Sequence, residues 1–205
     1  MELFEFDKSF NIPIIGTDEA GRGPGAGPVF AAAVFFPIKT DEKLFTEIND
    51  SKKLTAKKRE QLFDLIKSNT IYSIQSASVE EIETLNILQA SLLAMKRACE
   101  DVISQITNDD FKILIDGNKL IKDFTYKQEF VIKGDSKSAS IAAASILAKV
   151  TRDRFMTALS QEFPMYDWAN NKGYLTAKHI AAIKLNGATK WHSPKFLEKL
   201  KQSCP

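Results

Sequence analysis

The chain has 205 residues but only two cysteines, Cys99 and Cys204, and two histidines. Two distant thiols make no disulfide framework, and so few Cys and His residues supply no metal site of that type. The expectation is a reduced chain with one core thiol and one loose thiol near the last residue. No run of 18 or more apolar residues occurs, so no membrane-spanning helix is expected. The opening MELFEFDKSFN lacks the basic-then-apolar order of a signal peptide, and the expected location is the cytoplasm. A strong charge of either sign is also missing: 28 Lys and Arg against 26 Asp and Glu give +2. That balance neither demands nor excludes a nucleic-acid partner, since what matters is whether the cations gather on one face. Repeats, linkers and low-complexity segments are absent too. The length and a 44% hydrophobic content fit one soluble domain, 1–205, with residues from about 165 to 205 as a helical C-terminal appendage.

The hydrophobic pattern predicts a β, β, α, β, α, β, β, α, α order. Pro13–Thr17 is an apolar, β-branched strand, Gly21–Pro28 a turn, and Val29–Phe36 a second strand. A helix is expected from a Thr55 cap to Ser68, and a strand over Ile71–Ala77. Ser78 and Glu81 form a capping box. Leu85, Leu88, Leu92, Met95, Cys99 and Val102 then follow steps of three and four, as one stripe of a single long helix does. Strands are expected at Phe111–Ile115 and Glu129–Lys133. Helices are expected at Ser138–Glu162, stopped by Pro164, and at Thr176–Asn186, closed by Gly187. This is an α/β layout, a central mixed sheet flanked by helices.

Four acids share one setting. Asp18 and Glu19 follow the first strand, Asp116 follows the fourth, and Asp135 follows the fifth just before the long helix. Ends of neighbouring strands are where open α/β sheets place ligand sites. Carboxylates brought together there would repel, so either their pKa values rise or a cation binds. Hard oxygen donors select Mg²⁺ or Mn²⁺, and two such ions about 4 Å apart suit phosphodiester hydrolysis. A lone Asp at a strand end is more often a turn or cap residue. Position alone leaves both readings open. Neighbours on a regular strand face opposite ways, so Asp18 and Glu19 are expected to share a site only where the strand ends or bulges. Asp153 lies too far along the helix to join Asp135, and is expected to pair with Lys149, Arg152 or Arg154, or to meet solvent.

The segment Gly16-Thr-Asp-Glu-Ala-Gly-Arg-Gly-Pro resembles the opening signature of the ribonuclease HII family. Further blocks of that family follow in order. They are Asp50-Ser-Lys-Lys-Leu-Thr, Asn86-Ile-Leu-Gln-Ala, Ile115-Asp-Gly-Asn and Lys133-Gly-Asp-Ser-Lys-Ser, then Ile141-Ala-Ala-Ala-Ser-Ile-Leu-Ala-Lys-Val-Thr-Arg-Asp and Asn171-Lys-Gly-Tyr. The resemblance implies an RNase H-like fold and an endonuclease using two Mg²⁺ or Mn²⁺ ions. It implies substrates that are RNA/DNA hybrids and duplex DNA with embedded ribonucleotides. The cut falls 5′ of the ribonucleotide and leaves 3′-hydroxyl and 5′-phosphate ends, in the service of ribonucleotide removal from DNA. It carries catalytic and metal-binding roles onto Asp18, Glu19, Asp116 and Asp135, and ribose recognition onto Gly21, Arg22, Gly23 and Tyr174. Ser51, Lys52, Lys53 and Asn86 are weaker candidates for substrate phosphate, and the protein is expected to act as a monomer.

The 2′-hydroxyl separates RNA from DNA, a glycine loop lets backbone approach a sugar, and a tyrosine can cover it while its hydroxyl reaches a polar neighbour. Two departures stand out. Leu175 replaces a usual second glycine, and Trp191-His192-Ser193-Pro194-Lys195-Phe196 stands where the family commonly reads His-Arg-x-Ser-Phe. His179 and His192 form no metal spacing and are expected to be structural or exposed, with a family-like substrate role as the alternative for His192. The rivals are ribonuclease HIII, a resolvase-like nuclease and a non-catalytic hybrid-binding module. The first normally carries an extra N-terminal domain, the second lacks the glycine loop and tyrosine, and the third has no use for four retained carboxylates.

Overall fold

The computed structural model describes residues 2–37, 39–48, 54–107 and 110–202. Its centre is a five-stranded mixed sheet of β1 (Ile14–Ala20), β2 (Val29–Phe35), β3 (Ile71–Ala77), β4 (Lys112–Asp116) and β5 (Gln128–Val131). The spatial order is β3-β2-β1-β4-β5. The first three strands form an antiparallel meander, and β4 and β5 run parallel to β1.

Helices cover both faces, which is why the central strands read as unbroken apolar runs. Alternate residues of β2 go opposite ways. Ala31, Ala33 and Phe35 join Ile15, Met95, Cys99 and Val102 under α4 (Ile87–Gln105). Ala32 and Val34 join Ala143, Ile146 and Leu147 of α5 (Ala139–Glu162), backed by Leu62, Phe63 and Ile66 of α2 (Ala56–Asn69). Small residues let α5 lie close to the sheet. A Cβ on Gly16 of β1 would fall 2.3 Å from the backbone of both Ser140 and Ile141.

Three elements differ from the sequence reading. The N-terminus forms α1 (Glu2–Lys8), which buries only Phe4 and Asp7. Asp7 accepts hydrogen bonds from the Ser140 backbone (2.9 Å) and hydroxyl (2.7 Å) at the start of α5, so tertiary capping stabilises this short helix. The single long helix expected from Ser78 onward is two. The capping box starts α3 (Val79–Leu85), but Asn86 sits at φ 72° and its side chain caps α4 by accepting from Leu88 and Gln89. Leu85 is thereby exposed rather than part of the buried stripe. Finally, β1 neither ends nor bulges at Asp18. It keeps a regular register with β2 from Ile15↔Phe35 to Ala20↔Phe30.

Beyond α5 the chain forms α6 (Trp168–Asn171), α7 (Ala177–Asn186) and α8 (Pro194–Gln202), and Trp168 of α6 is fully buried with Tyr166, His179 and His192. Both histidines are inside, not exposed. Among the described residues, no helix is long and apolar enough to cross a membrane.

Candidate active site

Three of the acids come near one another where β1 and β4 part. β1 pairs with β4 only as far as Thr17↔Ile115, while β2 holds β1 straight for three more residues. Asp18 and Glu19 therefore stand on a strand end released from β4, and Asp116 is the last residue of β4. Alternation sends Asp18 toward α5 and Glu19 toward α4, so they do not share a face. The gap between β1 and β4 still leaves them within electrostatic reach of one another.

Asp18 is only 4% exposed. Burial, then the charges of Glu19 and Asp116, hold its carboxyl well above the usual carboxylate range, against hydrogen bonds from Ser145 and the Glu19 backbone. Three of the acids accept from donors of the protein. Asp18 accepts from the Glu19 N–H at 2.7 Å, Glu19 pairs with the Arg22 guanidinium at 3.1 Å, and Asp116 accepts from the Gly134 N–H at 2.6 Å. That last bond ties the β4 end to the 3₁₀ turn Gly134–Ser136, which carries the buried Asp135 one residue further on. Among the described residues no three such side chains already converge at metal-ligand spacing. The donor set nonetheless suits a hard divalent cation. Its oxygens are carboxylates, and Asp18 is under strain from negative neighbours that a cation would relieve.

Beside the acids lies a pocket of about 270 Å³, lined by Glu19, Gly21, Arg22, Gly23, Ser145, Lys149, Arg152 and Tyr174. Glu19 also lines a smaller hollow with Asp116 and Gly117. Gly23 faces Tyr174 so closely that a Cβ there would be 3.2 Å from the ring. The tyrosine is half exposed. The turn that carries it is fixed from behind. Trp168 donates to His179 Nε2 at 3.0 Å and the Thr189 N–H donates to His192 Nδ1 at 2.9 Å. Those donors leave one arrangement of protons: His192 Nε2–H donates to His179 Nε2 (3.1 Å) and His179 Nδ1–H to the Tyr174 carbonyl (2.9 Å). Burial lowers both imidazole pKa values, that of His192 to about 4.

Gly21, Arg22, Gly23 and Tyr174 thus border one pocket together with Glu19. Asn86 is not among the residues that line this pocket, and its carboxamide oxygen caps α4. Ser51, Lys52 and Lys53 lie outside the described residues. Sequence reasoning passed over Ser145 and Lys149. With Arg152 they sit at steps of four and three on α5, a polar stripe on a helix otherwise rich in Ala, Ile and Leu, and that pattern was a readable signal. Lys149 pairs with Asp153 at 2.8 Å, one of the partners expected for that acid. Leu175, the departure from the glycine pattern, sits over Gly25, where a Cβ would be 2.7 Å from it.

A sequence profile described as Ribonuclease HII matches residues 15–201. The Ribonuclease HII of Fusobacterium nucleatum subsp. nucleatum is 51% identical over 199 residues, covering 97% of this chain and 91% of that one. That of Pelagibacter ubique is 52% identical over 183 residues, covering 89% and 95%. Among solved structures, the ribonuclease H2 of Pyrococcus horikoshii OT3 superposes with a TM-score of 0.72 at 24% identity, covering 94% of this chain and all of that one. Bst-RNase HIII in complex with Mn²⁺ gives 0.71 at 19% identity, covering 89% and 65%. These two structures share the RNase H-like α/β fold. With its signature blocks matched over nearly the whole length and half its residues identical to two curated relatives, the chain belongs to the ribonuclease HII family and is an endoribonuclease, a hydrolase of the ribonuclease H type.

Proposed function

We propose that this chain cuts 5′ of ribonucleotides, both in RNA/DNA hybrids and at single ribonucleotides embedded in duplex DNA, leaving 3′-hydroxyl and 5′-phosphate ends. The observation that carries this reading is that Glu19 belongs at once to the acid cluster and to the pocket bordered by Gly23 and Tyr174. A sugar held against Gly21–Gly23 brings its backbone phosphate to the carboxylates.

Asp18, Glu19, Asp116 and Asp135 would hold Mg²⁺ or Mn²⁺, two ions in the catalytic complex. When bound, such ions supply an activated water and neutralise charge on the phosphate and the leaving oxygen. The protein's own residues do the rest. The loop Gly21–Gly23 brings backbone against the ribose, and Tyr174 covers the sugar and meets the 2′-hydroxyl. Arg22 sits where it can leave Glu19 for a substrate phosphate, which frees that carboxylate for a cation as the anion arrives. Lys149 adds positive charge to the pocket wall. The protein acts as a monomer in removing ribonucleotides from DNA.

Three duplexes test this with either metal: DNA with one ribonucleotide, the same sequence in all DNA, and an RNA/DNA hybrid. The first and third are cut and the second is not. Cleavage of the all-DNA duplex points instead to a resolvase-like nuclease, and binding without cleavage to a hybrid-binding module.

A further inference from the structure

Arg152 is a buried cation whose place in the fold the chemistry above does not use. It lies on α5, and its side chain, 1% exposed, is among the largest fully buried ones. Its guanidinium donates in three directions: Nε to the Pro28 carbonyl at 3.2 Å, one terminal nitrogen to Ala26 at 3.0 Å, and the other to Lys172 at 2.9 Å. All three acceptors are neutral. Among the described residues, no carboxylate lies within ion-pair distance of it. Burial without such a partner pulls its pKa down to about 10, which still leaves it charged at neutral pH.

Such a group is unfavourable to bury, and methionine would fill similar space more cheaply. What methionine could not do is join these carbonyls. Ala26 and Pro28 close the loop that begins at Gly21. Lys172 precedes Gly173 and Tyr174. One guanidinium therefore connects both walls of the pocket, about 20 and 125 residues away along the chain. The loop rests directly on it: a Cβ at Gly21 would be 2.5 Å from Arg152 Nε. The Gly25 N–H donates to the Gly173 carbonyl at 3.0 Å, a second tie between the same walls.

We propose that Arg152 is a positioning residue for ribonucleotide discrimination: through the carbonyls of Ala26, Pro28 and Lys172 it sets the distance between the Gly21–Gly23 loop and Tyr174. This rests on the reading that these two walls hold the ribose. Substrate contact is left to the walls. A lysine cannot replace Arg152, because one ammonium nitrogen cannot span three separated carbonyls.

The test compares wild type, Arg152→Lys and Arg152→Met on the one-ribonucleotide duplex and on its all-DNA counterpart, with kcat and KM measured separately. A shift of the walls by an ångström lowers kcat for the ribonucleotide duplex about 10- to 100-fold, while KM, set largely by the rest of the duplex, stays within about twofold. Arg152→Met, which removes charge and bonds together, covers the case in which Arg152→Lys does not fold. Combining either variant with Tyr174→Ala distinguishes positioning from general weakening. Losses that act through the tyrosine are not additive, whereas independent losses multiply. Multiplying losses, or a folded variant of wild-type kcat, would overturn the inference alone. A wild-type enzyme indifferent to the ribonucleotide would overturn the reading of the pocket, and this inference with it.

Discussion

The sharpest test of how this site is assembled is the exchange of one hydrogen for a methyl group, in Gly16→Ala. Gly16 lies two residues before Asp18 on β1, and the start of α5 lies against it. An alanine Cβ would sit 2.3 Å from Ile141 N and from Ser140 C, where ordinary contact begins at 3.4 Å. Both atoms are backbone, so no rotamer relieves the overlap. The strand and the helix must part by about an ångström (the difference of those two distances). Overpacking of this kind destabilises by about 1–3 kcal/mol. The functional loss should be larger in proportion. β1 carries Asp18 and Glu19, and the turn leading into α5 carries Asp135, so parting them displaces one group of acids from another. An ångström of misplacement at reacting groups costs roughly 100-fold in rate. The assay is cleavage of an RNA/DNA hybrid with saturating Mn²⁺ or Mg²⁺, beside urea unfolding of the same preparation. Gly187→Ala is the control. Its φ is 81° and nothing lies within 4 Å, so it suffers backbone strain of about 1 kcal/mol far from the acids and keeps its rate. A Gly16→Ala protein that cuts at the wild-type rate would refute the claim that this contact sets the separation of the acids.

Further outcomes follow from the same geometry. Asp18→Asn should lower cleavage at least about 100-fold. Because the folded-state pKa of Asp18 lies above 3.8, its contribution favours folding at low pH and is lost as pH rises through the folded value. At pH 7 without metal, Asp18→Asn should therefore melt higher than wild type, and an equal or lower melting temperature would contradict the crowding of negative charge. For His192 the sign is reversed. Its pKa drops from 6.5 to about 4 on folding, so its contribution is complete above pH 6.5 and disappears between there and pH 4. The loss is at most roughly 3 kcal/mol. Urea titrations of wild type and His192→Asn across that range should show a steeper decline in wild type; parallel curves would rule out the neutral pair. Tyr174→Ala should narrow the rate ratio between ribonucleotide and all-DNA duplexes while moving the unfolding midpoint little, since the ring is half exposed. A ratio equal to that of wild type would remove it from recognition.

The sheet was legible because its strands are buried on both faces, and runs such as Val29–Phe35 leave little else for the chain to do. Most of α5 was legible for the same reason. The α1 helix was not, since its stability comes from Asp7 reaching Ser140, a partner 133 residues away. The break at Asn86 was hidden because leucines continue the helical step on both sides of it. In the site, strand ends singled out the acids as candidates, but β1 neither ends nor bulges at Asp18 and Glu19 as the sequence reading expected. The opening lies in the missing β1–β4 pairing, which is a property of two strands and cannot be read from one. Likewise Arg152 looked like a partner for Asp153, because three backbone carbonyls converging from distant segments leave no mark in the sequence.

The pairing of the glycine loop with the C-terminal segment has a consequence for biosynthesis. The Gly27 N–H bonds to the Trp191 carbonyl and the Ser193 N–H to the Gly25 carbonyl, so one wall of the pocket is completed only by residues made some 165 positions later. A nascent chain can assemble the meander and much of its core first, but that wall must wait until Trp191 and Ser193 have emerged. The pocket wall is therefore acquired later than the sheet, and products truncated before Trp191 should lack it, however well their sheets form.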